Sequence, residues 1–311
     1  MDRSPGRIRR SIGATCLLLA ACLLAPAASA QTASEGLSPT LANIKRTHAV
    51  RLGYRESSPP FSFLDQANRP IGYSLELCEA IVEEIGVEVD DPDLRIEYVK
   101  VTSDDRIAAV TGNKIDLECG STTANAERSK VVAFSPLMFV AGTKLMVPRS
   151  STISAPTDLK GKAVVVTKGT TNEQAMHAVD KKFSLGLNIV TSPDHEQSYQ
   201  MLVDGKVDAF ATDDILLYGL IARHKTQDKF KVTGEYLSYD PYGIMFRKGE
   251  PQLKAVVDRT FRKLGSGRDL IPLYNKWFVA RLPTGERLGV SISPQLEEAF
   301  KVLDDTQGAS N

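Results

Sequence analysis

The chain has few cysteines, few aromatic residues and no excess of charge of either sign. Four of its 311 residues are cysteine, 7% are aromatic, and 38 basic residues balance 38 acidic ones. Four cysteines are too few for a disulfide scaffold, and balanced charge argues against a polybasic nucleic-acid-binding protein. A hydrophobic content of 42% excludes a largely disordered chain. We therefore expect a globular protein of about two domains.

The first 30 residues have the composition of a secretory signal peptide. An apolar stretch, Ile12–Leu24, follows four arginines, and Ala28-Ser29-Ala30 places small residues at the −3 and −1 positions of a cleavage site. The alternative is a lipoprotein box, Leu19-Ala20-Ala21-Cys22, with Cys22 lipidated as the first mature residue. Because the apolar run continues through Leu24, we predict cleavage after Ala30 and export across a membrane.

Removal of residues 1–30 changes the charge and the cysteine count. Four arginines and Asp2 are lost, which leaves 34 basic and 37 acidic residues and a net charge of −3. Cys78 and Cys119 remain, and they could pair in an oxidising compartment. Two free buried thiols are the alternative, which the usual burial of cysteine favours. No later apolar run reaches membrane-spanning length, so we expect a soluble mature protein.

Short apolar strands alternate with longer amphipathic segments after Pro39, a pattern typical of an α/β protein. We predict strands at Ala49–Gly53, Leu94–Val99, Ile115–Cys119, Thr143–Val147, Ala163–Thr167, Leu187–Val190, Val207–Ala211 and Ile244–Arg247. We predict helices at Ser74–Ile85, Glu173–Lys182, His195–Val203, Asp214–His224, Pro251–Leu264 and Asp269–Trp277, with a short one near Ser103 and a last one from Ser293.

The order of these elements predicts two lobes. Two short strands, Thr143–Val147 and Gly243–Arg247, bracket a segment with its own alternation of strands and helices. A segment inserted between two halves of another domain makes two chain crossings and permits hinge closure. We predict a first lobe of residues 37–142 and 243–311, and a second lobe of residues 143–242.

Motifs of the common enzyme classes are missing from the sequence. The four histidines, His48, His177, His195 and His224, have no neighbours at metal-ligand spacing. No phosphate-binding Gly-Lys-Ser/Thr loop and no G-x-S-x-G nucleophile elbow occurs. We therefore expect no metal, no cofactor and no catalytic residue of these classes.

Polar and basic residues follow many of the predicted strands. The carboxyl ends of strands face the ligand crevice in open α/β sheets, although a single such residue is more often a solvated arginine or a helix cap. Their recurrence predicts a ligand site. The candidate residues are Arg55, Ser103, Arg106, Ser121, Thr123 and Arg128, with Thr171, His195 and Asp213 from the inserted segment.

Several of these runs resemble the glutamate/aspartate branch of the periplasmic amino-acid-binding proteins of ABC transporters. The resemblance extends from about Leu41 to Phe278 and rests on Arg55-Glu56-Ser57-Ser58, Ile71-Gly72-Tyr73-Ser74, Glu118-Cys119-Gly120-Ser121-Thr122-Thr123 and Leu159-Lys160-Gly161. It implies a type II binding-protein fold, in which each lobe is an open, mostly parallel sheet flanked by helices. It also implies a periplasmic location, a membrane permease as partner and a monomeric state.

The resemblance further implies a role for each candidate residue. Arg128, Ser121, Thr123 and Thr171 would bind the α-carboxylate of L-glutamate or L-aspartate, and Asp213 would accept its ammonium group. The side-chain carboxylate would bind to Arg55, Ser103, Arg106 and His195. Arginine suits this task because its planar fork donates bidentately to a carboxylate and stays protonated. The three arginines and Asp213 together give a charge of +2, which suits a ligand of charge −1.

An enzyme on the same scaffold is the alternative, since a fold does not determine a function. The resemblance includes secreted cyclohexadienyl dehydratases. Such an enzyme needs an acid or base in the cleft, and Glu56 and Glu173 are the candidates.

Overall fold

The computed structural model describes residues 36–305, with side chains through residue 303. The predicted signal peptide, its Ala30 cleavage site and the alternative Cys22 lie outside these residues. The described helices are α1 Pro39–Thr47, α2 Tyr73–Val89, α3 Arg106–Thr111, α4 Thr171–Phe183, α5 His195–Val203, α6 Asp214–His224, α7 Pro251–Ser266, α8 Leu270–Tyr274 and α9 Pro294–Asp305. The described strands are β1 Ala49–Tyr54, β2 Ser57–Ser58, β3 Ser62–Leu64, β4 Pro70–Ile71, β5 Arg95–Lys100, β6 Leu117–Glu118, β7 Val132–Phe134, β8 Phe139–Ala141, β9 Thr143–Pro148, β10 Ala163–Thr167, β11 Asn188–Ser192, β12 Ala209–Asp213, β13 Phe230–Thr233, β14 Asp240–Tyr242 and β15 Met245–Arg247.

The strands form two five-stranded sheets, each of which defines a lobe. The first sheet has the order β5-β1-β6-β15-β7, and the second has the order β11-β10-β12-β9-β13. In each sheet four strands run in one direction, and one strand, β15 or β9, runs antiparallel to its neighbours. The predicted fold class, two lobes with mostly parallel sheets flanked by helices, is confirmed.

Alternating residues of β10 show why the second sheet has helices on both faces. Val164 and Val166 lie in one apolar cluster and Val165 lies in another, and all three are fully buried. A strand that is covered on both sides reads as a continuous apolar run. The run Ala163–Thr167 was recognisable in the sequence for this reason.

A two-stranded antiparallel sheet, β8 paired with β14, lies beside the site. Of the two strands expected to bracket the inserted segment, β9 belongs to the second five-stranded sheet and β15 to the first. Tyr242 of β14 and Phe139 of β8 pack with Phe61 and Phe278 in an aromatic cluster, with ring centroids 4.8 to 6.0 Å apart for five pairs. This cluster packs β8 and β14 against Phe61 and Phe278.

Cys78 of α2 and Cys119, which follows β6, form a disulfide. The favoured alternative of two free thiols is therefore wrong. The two cysteines are 41 residues apart, and nothing in the local sequence indicates that α2 packs against the end of β6. The bond ties the segment that begins at Gly120 to a buried helix, which restrains the backbone next to Ser121.

The short helix predicted near Ser103 begins instead at Arg106. Thr102 and Asp105 bond each other reciprocally, each side chain accepting from the other residue's backbone N–H, at 3.2 and 2.7 Å. This turn delays the helix by about one turn and sets the direction of both Ser103 and Arg106. Within residues 36–305, no helix has the length and apolar character needed to cross a membrane.

Candidate functional site

A small buried cavity lies between the carboxyl ends of the strands of the two sheets. Seven of the nine predicted site residues line it: Ser103, Arg106, Ser121, Thr123, Thr171, His195 and Asp213. The other two, Arg55 and Arg128, are buried and bond to residues of this lining. The structure therefore brings all nine together.

Arg55 and Arg106 converge on Ser103. Arg55 donates from Nη2 to the Ser103 hydroxyl, and Arg106 donates from Nη1 to the Ser103 carbonyl. Arg106 also reaches the second lobe, where its Nη2 lies 3.5 Å from the carbonyl oxygen of Gly169. Its Nε is buried and has no hydrogen-bond partner among the described residues. Arg106 therefore lines the cavity with a donor that no described residue accepts from, and Arg55 is joined to the lining through Ser103.

Arg128 forms a second basic corner of the site. It donates to the carbonyl of Thr123 at 2.9 Å and to that of Gly169 at 3.4 Å. The hydroxyl of Thr123 lies 3.3 Å from that of Thr171, which belongs to the other lobe. Hydroxyls and a guanidinium from both lobes therefore meet within hydrogen-bonding range.

Burial lowers the pKa of all three arginines because it disfavours their charged form. The pKa of Arg106 falls furthest, to about 9, since the charges of Arg128 and Arg55 add to the effect of burial. Among the described residues, no carboxylate forms an ion pair with any of the three. A carboxylate brought to this cluster would oppose the lowering of these pKa values, because an opposite charge favours the charged form of arginine.

Asp213 is the acidic group of the cavity wall. Asn172 donates to its Oδ1 at 2.8 Å, and Tyr242 donates to its Oδ2. Burial and the neighbouring carboxylate of Asp240 raise the pKa of Asp213 to about 7. A cation placed beside it would favour the ionised form.

His195 opens α5 and is held by a hydroxyl. Its Nδ1 lies 2.7 Å from Oγ1 of Thr167, a fully buried residue at the end of β10. Burial, together with the charges of Arg55 and Arg106, holds the pKa of His195 well below its ordinary value. The imidazole is therefore neutral and carries a single N–H.

Sequence reasoning missed several buried residues of the site. Glu118 and Asp240 are carboxylates that the charge count of +2 omitted, so the buried set contains three arginines and three carboxylates. Asp240 accepts from the hydroxyls of Thr123, at 3.1 Å, and Ser238. Glu118 was noted as part of the run Glu118–Thr123 but was not predicted as a site residue. Asp240 lies on a short strand that was not predicted.

The two acids proposed for an enzyme do not line the cavity. Glu56 forms an ion pair with Lys100 at 2.6 Å and its side chain is 36% exposed. Glu173 accepts the backbone N–H of Gly169 at 2.9 Å in the first turn of α4. Across the part of the chain that the structure describes, no three His, Cys, Asp or Glu side chains cluster as metal ligands would.

The fold is shared with known binding proteins. A solved structure described as an ancestral amino acid-binding protein, a precursor of cyclohexadienyl dehydratase, superimposes with a TM-score of 0.66 and 28% identity, covering 76% of this chain and 99% of the other. The two sheets with a buried cavity at their carboxyl ends thus define a two-lobed binding protein of type II architecture.

Sequence similarity identifies the family of the chain. Over 283 residues it is 39% identical to the L-glutamate/L-aspartate-binding protein of Pseudomonas aeruginosa, covering 90% of this chain and 94% of the relative. It is 35% identical to the glutamate/aspartate import solute-binding protein of Salmonella typhimurium, covering 94% and 97%. Residues 50–280 match the model of the bacterial extracellular solute-binding proteins, family 3. The chain belongs to this family, which confirms the resemblance inferred from its motifs.

Proposed function

We propose that the protein captures L-glutamate or L-aspartate outside the cytoplasm, between two closing lobes, and delivers it to the membrane permease of an ABC transporter. The first lobe comprises residues 37–142 and 243–311, and the second comprises residues 143–242. The protein acts in the periplasm as a monomer, without a cofactor and without catalysis. The names of its relatives, which include glutamate/aspartate import, support this proposal.

One observation carries the proposal: three buried arginines lie at or beside one cavity, and no carboxylate of the described residues forms an ion pair with them. Arg55, Arg106 and Arg128 are 3%, 2% and 9% exposed. Burying a charge without a partner is costly, and among the described residues the three guanidinium groups bond only to hydroxyl and carbonyl oxygens. A ligand with two carboxylates supplies the missing partners.

Arg128 binds the α-carboxylate, together with the hydroxyls of Ser121, Thr123 and Thr171. The two threonine hydroxyls come from different lobes and lie 3.3 Å apart, so a single carboxylate can bond both. Asp213 accepts the ammonium group on the far side of the cavity. Its neighbours Asn172 and Tyr242 hold the carboxylate in place by donating one hydrogen bond to each oxygen.

Arg55, Arg106, Ser103 and His195 bind the side-chain carboxylate. Ser103 accepts from both arginines, one through its hydroxyl and one through its carbonyl, and so orients both. The neutral His195 adds one N–H donor when Nδ1 accepts from Thr167. An amide side chain would direct its NH₂ group at these donors, which favours the acidic amino acids.

The enzyme alternative is supported only by the structural likeness to a precursor of cyclohexadienyl dehydratase. Glu56 is paired with Lys100, and Glu173 caps a loop, so neither is free to transfer a proton in the cavity. The carboxylate that does line the cavity, Asp213, is matched to a ligand ammonium group. We therefore favour binding over catalysis.

Isothermal titration of the mature protein with glutamate, aspartate, glutamine and asparagine tests the proposal. We expect both acidic amino acids to bind and both amides to bind much more weakly. Incubation with prephenate or arogenate should yield no product. Failure to bind either acidic amino acid, or turnover of a cyclohexadienyl acid, would contradict the proposed function.

Intact-mass analysis of the periplasmic fraction tests the predicted processing. We expect a chain that begins at Gln31. A diacylated chain beginning at Cys22 would show instead a membrane-tethered protein.

A further inference from the structure

Glu118 is a buried carboxylate that has no hydrogen bond. It lies in β6, between Gly53 of β1 and Met245 of β15, and is 0% exposed. Neither of its side-chain oxygens has a hydrogen-bond partner among the described residues. Buried polar groups are almost always bonded, so an unbonded carboxylate requires an explanation.

The surroundings of Gly120 place Glu118 beside the stem of Arg55. A Cβ atom on Gly120 would lie 2.3 Å from Oε1 of Glu118 and 2.9 Å from Cγ of Arg55. Both side chains therefore use the space that the glycine leaves. Burial lowers the pKa of Arg55, Arg106 and Arg128, and the charge of Glu118 opposes that lowering in all three.

The charges of the site explain why such a group is present. A dicarboxylic amino acid supplies two carboxylates, whereas the cluster contains three guanidinium groups. Asp213 faces the ligand's ammonium group, and Asp240 accepts two hydroxyl hydrogen bonds on that same side. The charges of Asp213 and Asp240 oppose the lowered pKa of Arg128, whereas the charge of Glu118 does so for all three arginines.

On the basis of the proposed function, we propose that Glu118 is a selectivity-determining residue: it is the resident counter-ion of the arginine cluster and competes with the ligand's side-chain carboxylate for Arg55. It acts through the arginines and does not touch the ligand. Its charge weakens the attraction of the cluster for an anionic side chain. It also stabilises Arg55 when the ligand offers only a neutral amide.

Replacing Glu118 by glutamine keeps the size of the side chain and removes its charge. Because a nearby charge acts strongly in a buried site, E118Q should bind glutamate more tightly and glutamine no more tightly than the native protein does. The ratio of the two dissociation constants should therefore rise about tenfold. General damage to the site would weaken both ligands, so a gain in glutamate affinity is diagnostic.

Titration calorimetry of native protein, E118Q and E97Q with glutamate and glutamine carries out the test. Glu97 is the matched control, since it lies in β5 of the same sheet, has a side chain that is 47% exposed, and gives the same change of net charge. E97Q should leave the ratio unchanged. An unchanged or lower ratio in folded E118Q would overturn the inference, whereas native protein that binds no glutamate would overturn the proposed function instead.

A second variant covers the case in which E118Q does not fold. E118D keeps the charge but withdraws the carboxylate by one methylene from the Arg55 stem, so its ratio should lie above that of the native protein. A ratio equal to the native value would count against a direct charge effect of Glu118 on Arg55.

Discussion

Replacing Arg55 or Arg128 by methionine should separate the two carboxylate subsites. Methionine keeps an apolar stem of similar length and removes the guanidinium. Arg55 is 3% exposed and Arg128 is 9% exposed, so each charge acts in a largely desolvated setting. The two substitutions remove the same group from opposite ends of the proposed ligand.

The expected magnitude follows from the cost of an unpaired buried charge. Losing one partner of a buried ion pair costs about 3–5 kcal/mol, and about 1.4 kcal/mol corresponds to a tenfold change. Native protein should therefore prefer glutamate over glutamine by at least about a hundredfold. Arg55→Met should weaken glutamate and narrow this preference, because only the side-chain carboxylate requires Arg55. Arg128→Met should weaken both ligands alike, because they share the α-carboxylate.

Titration calorimetry gives the dissociation constants of both ligands for the native protein and both variants, and thermal unfolding confirms that each variant is folded. Equal losses for glutamate and glutamine in Arg55→Met would show that Arg55 does not contact the side-chain carboxylate. If Arg128→Met weakened the binding of glutamate but not of glutamine, the assignment of the two carboxylate subsites would have to be reversed.

Three further predictions concern closure, pH and the disulfide. We expect the radius of gyration to decrease when glutamate binds. Gly169→Ala should abolish this decrease and weaken glutamate binding, because a Cβ at Gly169 would lie 2.7 Å from Cα of Asp104 in the other lobe. Gly161→Ala is its control, with a similar positive φ and nothing within 4 Å, and equal effects of the two would refute the closure argument. The pKa of Asp213 is about 7 in the folded protein, against an ordinary value of 3.8. Between these values the folded protein keeps a proton that the unfolded chain loses. The contribution of Asp213 therefore lowers the free energy of unfolding of the ligand-free protein as pH rises from about 4 to 7. Glutamate affinity should rise with pH over the upper part of that range and level off above it, and a flat calorimetric profile would contradict this. Reduction of Cys78–Cys119 should lower the free energy of unfolding by about 4 kcal/mol for its separation of 41 residues, measured by urea unfolding with and without reductant.

The parts of the fold that the sequence predicted are those with local patterns. The apolar run at β10 and the four-residue spacing in α2 depend only on neighbouring residues, and both elements were found within a few positions of their true ends. The helix α1 and short strands such as β8 and β14 were missed. Two or three residues carry no periodicity, and these strands form only because distant segments pack beside them.

The residues of the site likewise divide into those that local sequence patterns predict and those that depend on distant parts of the chain. Arg55 and Arg106 could be predicted because they follow strands whose carboxyl ends share one edge of a sheet. Glu118 could not be assigned a role, since a glutamate inside a strand is usually an exposed residue of an alternating pattern. Asp240 and Tyr242 reach the site through the pairing of β14 with β8, across about a hundred residues of chain, and this pairing has no signature in the sequence.

Burial of the arginines connects selectivity to closure. The carbonyl of Gly169 in the second lobe accepts from both Arg106 and Arg128 in the first, so the lobes meet where the desolvated positive charges are concentrated. Closure without an anion leaves these guanidinium groups buried without a carboxylate in direct contact, which opposes closure. A ligand with carboxylates at both ends compensates that charge, whereas an amide leaves part of it unpaired. The arginines that recognise the ligand therefore also determine which ligand stabilises the closed arrangement.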